Sequence, residues 1–595
     1  MANWLISETE ADIQKMSSVL KISPALSKIL ANRGIKSKNQ AIKYLKPNKN
    51  FLNNASTFYD IDKACDIIIE GVQAFKKFCI YGDYDVDGVV SCTIIYKTIK
   101  SLGATCDYYI PHREHEGYGL NLAAVQNISD NFDILITVDN GIASIEEINL
   151  AKSLGLSVII IDHHEPHIEQ LENKSHEVLP NACAIINPKQ TKCTYPFKLL
   201  CAGAICYKVS AYIFQKLAKP FIYDDEFIIL ASIATFCDVV DLVDENRIIA
   251  ACGLKLLNQE KNQNMGLDAL IKARNLAYVD INAYAIGFII GPCINATGRL
   301  KTATISLSLF LSDNTQTAEN LAAELVALNE ERKALCGQHV DKTIENLKQK
   351  QNAGNLDKII CIYKEDIHES IAGIIAGRIK DTLNRPTLVF TKSNELAKGS
   401  ARSISAYNIF SEMQKHSHIF TKFGGHSMAA GASMKIENVE TLRKLLNDSC
   451  TLCEADFVPT IYIDDELSLD DITFEFAQTL ETLAPFGKAN KKPIFTTRSI
   501  FTTTAEIIGQ TGTTIRFTFY SQLNRKFTAI CFKQIDKFMD MLQSSFSKNV
   551  SDNFYNRKLR NITIKMDIVY NIDINYYKGN ATLNLNILDF KFKTD

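Results

Sequence analysis

Long apolar runs are absent from this sequence. A membrane-crossing helix needs about 18 consecutive apolar residues, and the longest largely apolar stretch, Phe227 to Cys237, has 11, Ser232 and Thr235 among them. The first residues, Met1-Ala-Asn-Trp-Leu-Ile-Ser-Glu, carry no basic segment and meet acids at Glu8 and Glu10, so no export signal and no membrane attachment are expected. Proline (13) and glycine (27) are scarce in 595 residues, which excludes collagen-like and low-complexity chains. The 16 cysteines are too thinly spread for a disulfide framework, and Cys79, Cys92, Cys237 and Cys361 sit inside apolar runs as small buried hydrophobes. The C-x-x-C at Cys450 and Cys453 lacks the second pair that a zinc site needs. A reduced, cytoplasmic protein is expected. An excess of one charge is missing too: 65 Lys and Arg face 67 Asp and Glu, a net of −2. Taken whole, that figure argues against a nucleic-acid partner.

What is present is an ordinary folded composition, 46% hydrophobic and 22% charged, in a chain long enough for three to four domains of about 150 residues. Residues 1–50 have a helical pattern broken at Arg33-Gly34 and Lys46-Pro47. Short apolar runs then follow at Phe78–Tyr81, Tyr108–Ile110, Asp133–Val138, Ser157–Ile161 and Ala184–Ile186, with helix-period segments such as Val89–Ser101 and Ile145–Leu154 between several of them. Continuous apolar strands separated by helices predict a parallel sheet covered on both faces. Helices are expected to continue over 199–260, and 318–350 reads as a long charged connecting helix. A second α/β pattern follows: strands at Ile359–Tyr363 and Thr387–Phe390, a helix from Ile371, then Gly-rich turns. Near the end, Ile562, Ile564, Met566, Ile568, Tyr570, Ile572 and Ile574 alternate with mostly polar residues, and Leu583, Leu585 and Ile587 repeat the pattern. With Ile515, Phe517, Phe519 and Phe527–Phe532 they predict an antiparallel β-barrel of about five strands.

Chemistry is concentrated in Tyr81-Gly-Asp83-Tyr-Asp85-Val-Asp87-Gly88. Three aspartates at alternate positions raise one another's pKa unless a cation compensates them. A calcium loop of the D-x-D-x-D-G type needs a bidentate Glu at position 12, where Ile94 stands, and a preceding helix, where a strand is expected. Asp139 directly follows the run Ile134–Val138, Asp162-His163-His164 follows Val158–Ile161, and Asp238 closes Phe227–Cys237. Asp and His residues thus fall just past the carboxyl ends of three apparent strands, where open α/β sheets place their sites. Each alone reads as structural; together they predict a centre for two Mn²⁺ or Mg²⁺ ions supporting in-line displacement at phosphorus. Phosphate contacts are expected from the small-residue loop Gly424-Gly425-His426-Ser427, from the turn carrying Ser400 and Arg402, and from the turn carrying Arg299. His368, opening a helix, reads equally as a cap or a site residue.

Asp-Tyr-Asp-Val-Asp-Gly (83–88), Thr-Val-Asp-Asn-Gly (137–141), Asp-His-His (162–164) and Asp238 resemble the four motifs of the DHH phosphoesterase superfamily, and Gly-Gly-His-Ser (424–427) resembles the substrate-binding loop of its DHHA1 domain. Within that superfamily, Glu116-Gly-Tyr-Gly-Leu120, Gly-Pro-x-Ile-Asn-Ala-x-Gly-Arg (291–299), Ser-Ala-Arg-Ser (400–403) and Pro485-Phe-Gly-Lys-Ala-Asn490 are similar to the RecJ family of bacterial single-strand-specific exonucleases, over nearly the whole chain from about residue 20. Pattern and resemblance together divide the chain into an N-terminal helical cap (1–50), a parallel-sheet DHH catalytic domain (51–317), a connecting helix (318–350), a smaller α/β DHHA1 domain (351–455) and an OB-fold (456–595). The resemblance implies a metal-dependent 5′-to-3′ exonuclease that releases 5′-mononucleotides from single-stranded DNA in repair and recombination. Its expected partners are a single-strand-binding protein and a RecQ-type helicase, and a monomer is expected.

Carried over by position, Asp85, Asp87, Asp139, His163 and Asp238 are metal ligands, Asp139 bridges, Asp83 is a ligand or supports one, and His164 faces the scissile phosphate. Arg299, Arg402 and the 424–427 loop hold nucleic acid, with Arg113 near the strand's 5′ end. The chain departs from the family at His368-Glu-Ser, where His-Pro-Gly is common, at Cys293, where Arg is common, and at Lys301, where an acid is common. None of these is a proposed metal ligand. Two other readings are a phosphodiesterase of the same superfamily acting on nanoRNA or cyclic dinucleotides, and a DNA-binding scaffold without catalysis. The extra barrel and cap argue against the first, and the intact ligand set against the second.

The near-zero charge is a cancellation. Residues 486–595 hold 17 basic and 8 acidic residues, a local net of +9, which leaves the other 485 residues at −11. The same 110 residues hold 17 of the chain's 54 aromatics, the mix of cations and stacking faces expected of a single-strand-binding barrel.

Overall fold

The computed structural model of the chain describes residues 2–593 apart from positions 10, 118, 172–173, 260–261, 263, 278, 510–511, 547–549, 551, 553, 555–557 and 578–579. It forms two units: residues 48–458, and residues 1–47 together with 459–595.

In the larger unit, five strands pair in parallel in the order Thr105–Tyr109, Lys77–Tyr81, Ile134–Val138, Ser157–Ile161, Ala184–Ile186. Every residue of Ile134–Val138 is buried, because helices cover both faces. Phe78, Ile80, Ile134, Ile136, Ile159 and Ile161 face a core shared with helices Val86–Ser101, Ala202–Lys216 and Asp224–Cys237. Cys79, Leu135, Val158 and Ile160 point the other way, against helices Leu122–Ser129 and Ile145–Ser153. Each fully buried Ile or Leu contributes about 1.5–3 kcal/mol, so the two cores hold the carboxyl ends of the strands in a rigid row.

The predicted connecting helix lies within one helix of 38 residues, Thr315–Asn352, whose Asn314 cap accepts from the Thr317 amide. Ala318, Ala322 and Leu325 pack on the first core, while Cys336, Val340 and Leu347 pack on the second α/β region. One stripe at helical spacing therefore serves two cores. The second region is a five-stranded sheet in the order Phe420–His426, Ala429–Lys435, Leu396–Arg402, Thr387–Ser393, Ile360–Tyr363, with only the last pair parallel. Helix Ala372–Leu383 covers one face and Asn438–Asp448 the other.

Three expectations are corrected here. The turn expected around Ser400 and Arg402 is strand Leu396–Arg402, and the loop expected at 424–427 is the end of strand Phe420–His426 running into a hairpin turn. The turn expected before Arg299 is helix Gly291–Leu300, with a proline in its first turn. Gly298 and Gly399 serve close approach rather than turning. A Cβ at Gly298 would lie 2.5 Å from the Tyr84 carbonyl oxygen, and one at Gly399 would lie 2.6 Å from that of Val389.

The smaller unit is built around a barrel. Strands Phe495–Ile508, Thr514–Tyr520, Lys526–Phe532, Asn580–Phe592 and Lys558–Tyr577 pair in that order, and the last closes on the first. The predicted alternation is met: Ile564, Met566, Ile568, Tyr570 and Ile572 are buried, as are Phe517 and Phe519. The side chain of Ile562, part of the expected pattern, lies outside the described residues. The N-terminal segment is not wholly helical. Asn3–Ile6 is a strand pairing in parallel with Thr460–Ile463, before helices Ile13–Leu20, Pro24–Asn32 and Lys38–Leu45. Leu26, Ile29, Leu30 and Tyr44 share one core with barrel residues Phe495, Phe517 and Phe590. Among the described residues no helix is long and apolar enough to cross a membrane.

Candidate metal centre

The row of strand ends carries the predicted acids except Asp238, which caps the carboxyl end of helix Asp224–Cys237. Past Tyr81 the chain turns so tightly that a Cβ on Gly88 would lie 2.5 Å from the Asp83 carbonyl oxygen. Asp85 caps helix Val86–Ser101, its Oδ1 accepting from the Gly88 amide at 3.1 Å. Asp87 lies in the first turn of that helix, fully buried, and accepts from the amides of Ala202 (2.8 Å) and Gly203 (2.7 Å). Those amides open helix Ala202–Lys216, so a helix N-terminus holds this carboxylate. A Cβ on Gly203 would stand 3.1 Å from Asp87 Oδ1 and 2.8 Å from Ala234 Cβ, which explains the glycine.

Asp139 follows strand Ile134–Val138 in a left-handed conformation, φ 61°, at a cost of about 1–2 kcal/mol. Its amide donates to the Ile161 carbonyl at 3.0 Å. After strand Ser157–Ile161, the fully buried Asp162 organises the turn. It accepts from the amides of Ile142 (3.0 Å), His163 (2.7 Å) and His164 (3.1 Å), and lies 2.8 Å from His164 Nδ1. Burial opposes a charge on His164, but the hydrogen bond and charge of Asp162, with Asp238 and Asp83, push its pKa up to about 9. The same pairing overcomes burial at Asp162 and holds its carboxyl well below the usual range. His163 goes the other way: burial, then the charge of His164, lowers it to about 3, so the ring is neutral.

The side chains converge. Ligand atoms of Asp83, Asp85 and Asp139 lie within 4.8 Å of one another, as do those of Asp87, His163 and Asp238, and those of Asp139, His163 and His164. His163 Nε2 is 3.2 Å from Asp139 Oδ1 and 3.8 Å from a carboxylate oxygen of each of Asp87 and Asp238. Burial, reinforced by the neighbouring aspartates, raises Asp83 and Asp139 well above the usual carboxylate range, Asp87 to about 7 and Asp238 to about 8. Asp83 Oδ1 and His163 Nε2 are buried and make no hydrogen bond to any described residue. Among native buried polar atoms such orphans are rare. Aspartates and one imidazole aimed at a common volume fit Mn²⁺ or Mg²⁺.

Three arginines border the centre. Arg113 lies over the Tyr84 ring at 4.8 Å, and its charge acts on Asp83. Arg299 Nη1 donates to the Ser370 carbonyl at 2.7 Å, and Arg402 Nη1 donates to Ser400 Oγ at 2.9 Å. Burial and the charge of Arg113 lower Arg299 to about 10 and shift Arg402 downward as well. Among the described residues none of the three pairs with a carboxylate within 4 Å. Sheet register brings the remaining expected contacts to one place. Arg402 opposes Ala429, which opposes His426, while Ser400 opposes Gly431, which opposes Gly424. Residues in one row share a face, so Ser400, Arg402, Gly424 and His426 belong to one surface. Gly425 has φ 152°, and a Cβ there would strike the Ala429 carbonyl oxygen and lie 2.5 Å from Ala430 Cα. Ser427 occupies the turn, its carbonyl accepting from the Ile409 amide at 3.1 Å.

Residues 77–235 match the DHH family, N-terminal domain, residues 356–451 the DHHA1 domain, and residues 463–589 the RecJ OB domain. The single-stranded-DNA-specific exonuclease RecJ of Haemophilus influenzae is 30% identical over 492 residues, which cover 79% of this chain and 83% of that protein. The chain belongs to the RecJ family. The RecJ of Bacillus subtilis is 37% identical over 503 residues, covering 82% of this chain and 61% of that protein, so the match spans about three fifths of that relative's length. The crystal structure of RecJ from Thermus thermophilus in complex with Mn²⁺ has the same fold, with TM-score 0.80 at 21% identity, covering 100% of this chain and 80% of that one.

Where the chain departs from the common RecJ pattern, the structure shows what replaces it. Cys293 is fully buried with Sγ 3.2 Å from the Ile289 carbonyl. Lys301 pairs with Glu324 at 2.8 Å. His368 is a cap, its Nδ1 accepting from the Ser370 amide at 3.4 Å, while Nε2 lies 3.0 Å from Glu114 Oε1. Sequence reasoning left two elements of the centre unassigned. Asp162 was visible in Asp-His-His, but nothing local shows that its carboxylate gathers three amides and an imidazole. The amides that hold Asp87 belong to residues more than 110 positions away, and backbone donors carry no sequence signal.

Proposed function

We propose that this chain is a metal-dependent exonuclease that removes 5′-mononucleotides from the 5′ end of single-stranded DNA, using two divalent ions, in DNA repair and recombination. The carrying observation is that two carboxylate-rich groups, Asp83/Asp85/Asp139 and Asp87/His163/Asp238, adjoin across Asp139 and His163, with buried ligand atoms of Asp83 and His163 making no hydrogen bond to any described residue. Divalent ions held there would act as Lewis acids on a phosphodiester and offset its charge. The chain's own groups do the rest. Asp162 keeps His164 protonated, and that half-exposed imidazolium can donate to a phosphate oxygen. Arg113, Arg299 and Arg402, left without carboxylate partners among the described residues, supply the charge that retains a polyanion.

The substrate reading is supported by the names of the relatives, single-stranded-DNA-specific exonucleases. Direction, the repair setting, the single-strand-binding and RecQ-type partners, the monomer and the cytoplasmic location rest on the family resemblance. In the assay that tests this, the purified chain with Mn²⁺ shortens 3′-labelled single-stranded DNA from its 5′ end and spares blunt duplex. Hydrolysis of cyclic dinucleotides without attack on long single strands would overturn the reading.

A further inference from the structure

We propose that His112, Glu114, His115 and His368 form an accessory transition-metal site, suited to Zn²⁺, that clips the two α/β regions of the larger unit together beside the metal centre and slows turnover when filled. Ligand atoms of His112, Glu114 and His115 lie within 4.8 Å of one another, and the His112 and His115 rings stack with centroids 4.5 Å apart. These three come from the turn after strand Thr105–Tyr109. The fourth comes from the second region and adjoins the group through Glu114 alone, His368 Nε2 lying 3.0 Å from Glu114 Oε1.

The turn is shaped independently of any ion. Glu116 accepts from the His112 amide (2.6 Å), the Tyr109 hydroxyl (2.5 Å) and Asn121 Nδ2 (3.0 Å), so its carboxylate is engaged and the neighbouring side chains are presented outward. Three imidazoles and one carboxylate are borderline donors that favour Zn²⁺ over Mg²⁺ or Mn²⁺. Excess Mg²⁺ or Mn²⁺ occupies the aspartate-rich centre by mass action, so the two sites can be filled separately. The consequence follows from position. Arg113, inside this turn, lies over Tyr84 between two of the centre's aspartates, and Ser370, whose Oγ is 2.7 Å from His368 Nδ1 and can accept its proton when Nε2 is a ligand, holds Arg299 through its carbonyl. An ion joining the turn to His368 would fix both arginines and hinder passage of the strand.

The test is equilibrium dialysis against Zn²⁺ in excess Mg²⁺, with bound zinc measured by elemental analysis. The wild-type chain should retain about one zinc equivalent more than the His112→Ala/His115→Ala variant, with His368→Ala weakening retention about 10–100-fold. Zinc should then inhibit wild-type hydrolysis in excess Mn²⁺ at a concentration at least about tenfold below that needed for the double variant. Equal zinc retention in wild type and double variant overturns the site, and superimposable inhibition curves overturn its effect on turnover. The dialysis is read without nucleic acid, so its failure leaves the exonuclease reading, on which the inhibition arm rests, standing.

Discussion

Asp139 combines two unfavourable circumstances in one residue. Its backbone is left-handed, and its carboxyl is buried beside Asp87, Asp85, Asp83 and Asp238. A purely structural role would favour an uncharged residue here; a carboxylate is retained where a cation offsets it. Asn tolerates the same backbone region, so Asp139→Asn removes the charge without adding strain. In the metal-free state this variant should melt at a higher temperature than wild type at pH 8, because carboxylate repulsion is relieved. Its Mn²⁺-dependent hydrolysis should fall by more than about 100-fold, exceeding what loss of a supporting residue causes. Calorimetry and turnover on labelled single strands check both, and wild-type turnover would sink the assignment of Asp139 as a shared ligand.

At the level of elements, the centre consists of three strand ends, two helix starts and one helix end, which carries Asp238, and it destabilises the metal-free fold in a pH-dependent way. Asp87 and Asp238 titrate at about 7 and 8, against about 4 when unfolded, so across that range the native state binds more protons and stability falls as pH rises. His164, raised to about 9, adds stability below its unfolded value of about 6.5 that is lost on the way to 9, the same sign. His163, lowered to about 3, acts oppositely, adding stability as pH rises from about 3 to 6.5. Above 6.5 only the falling contributions remain. Metal-free protein should therefore lose melting temperature steadily from pH 6.5 to 9, and saturating Mn²⁺ should flatten the slope. A flat metal-free profile would contradict the buried acid cluster. Several elements were readable from the chain, because runs such as Ile134–Val138 and the alternation after Ile564 record burial directly. The strands at 396–402 and 420–426 were not, since Gly399 and Gly425 look like turn residues until Phe390, Val389 and Ala430 are seen pressing against them.

Over the whole molecule, charge is partitioned: the acids that would hold metal lie in the larger unit, and the basic excess lies in the barrel. Of the barrel aromatics, Phe495, Phe517, Phe519, Phe527, Phe538 and Phe590 are core, whereas Phe501 is 51% exposed with Lys565 Nζ 6.0 Å above its ring. An exposed ring beside a cation is suited to base stacking, worth about 1–3 kcal/mol per base. Phe501→Ala should thus weaken binding of a long single strand by about 5- to 150-fold in filter binding without catalytic metal. An unchanged Kd would remove Phe501 from the DNA path.

The sequence by itself determined which residues can serve as ligands and that they follow strands, because Asp83–Asp87, Asp139 and Asp162–His164 are local motifs attached to local apolar runs. It also determined the barrel's strands, whose alternation is local, but not its closure by pairing Phe495–Ile508 with Lys558–Tyr577, nor the parallel pairing of Lys526–Phe532 with Asn580–Phe592 in a barrel expected to be antiparallel. Only the tertiary structure decided that Asp87 rests on the amides of residues 202 and 203, that burial lowers the pKa of His163 while Asp162 raises that of His164, and that Arg299 and His368 bind the second region to the first. Each depends on burial and on partners distant in the chain, and a charge's neighbours and solvent exposure exist only once the strands are side by side.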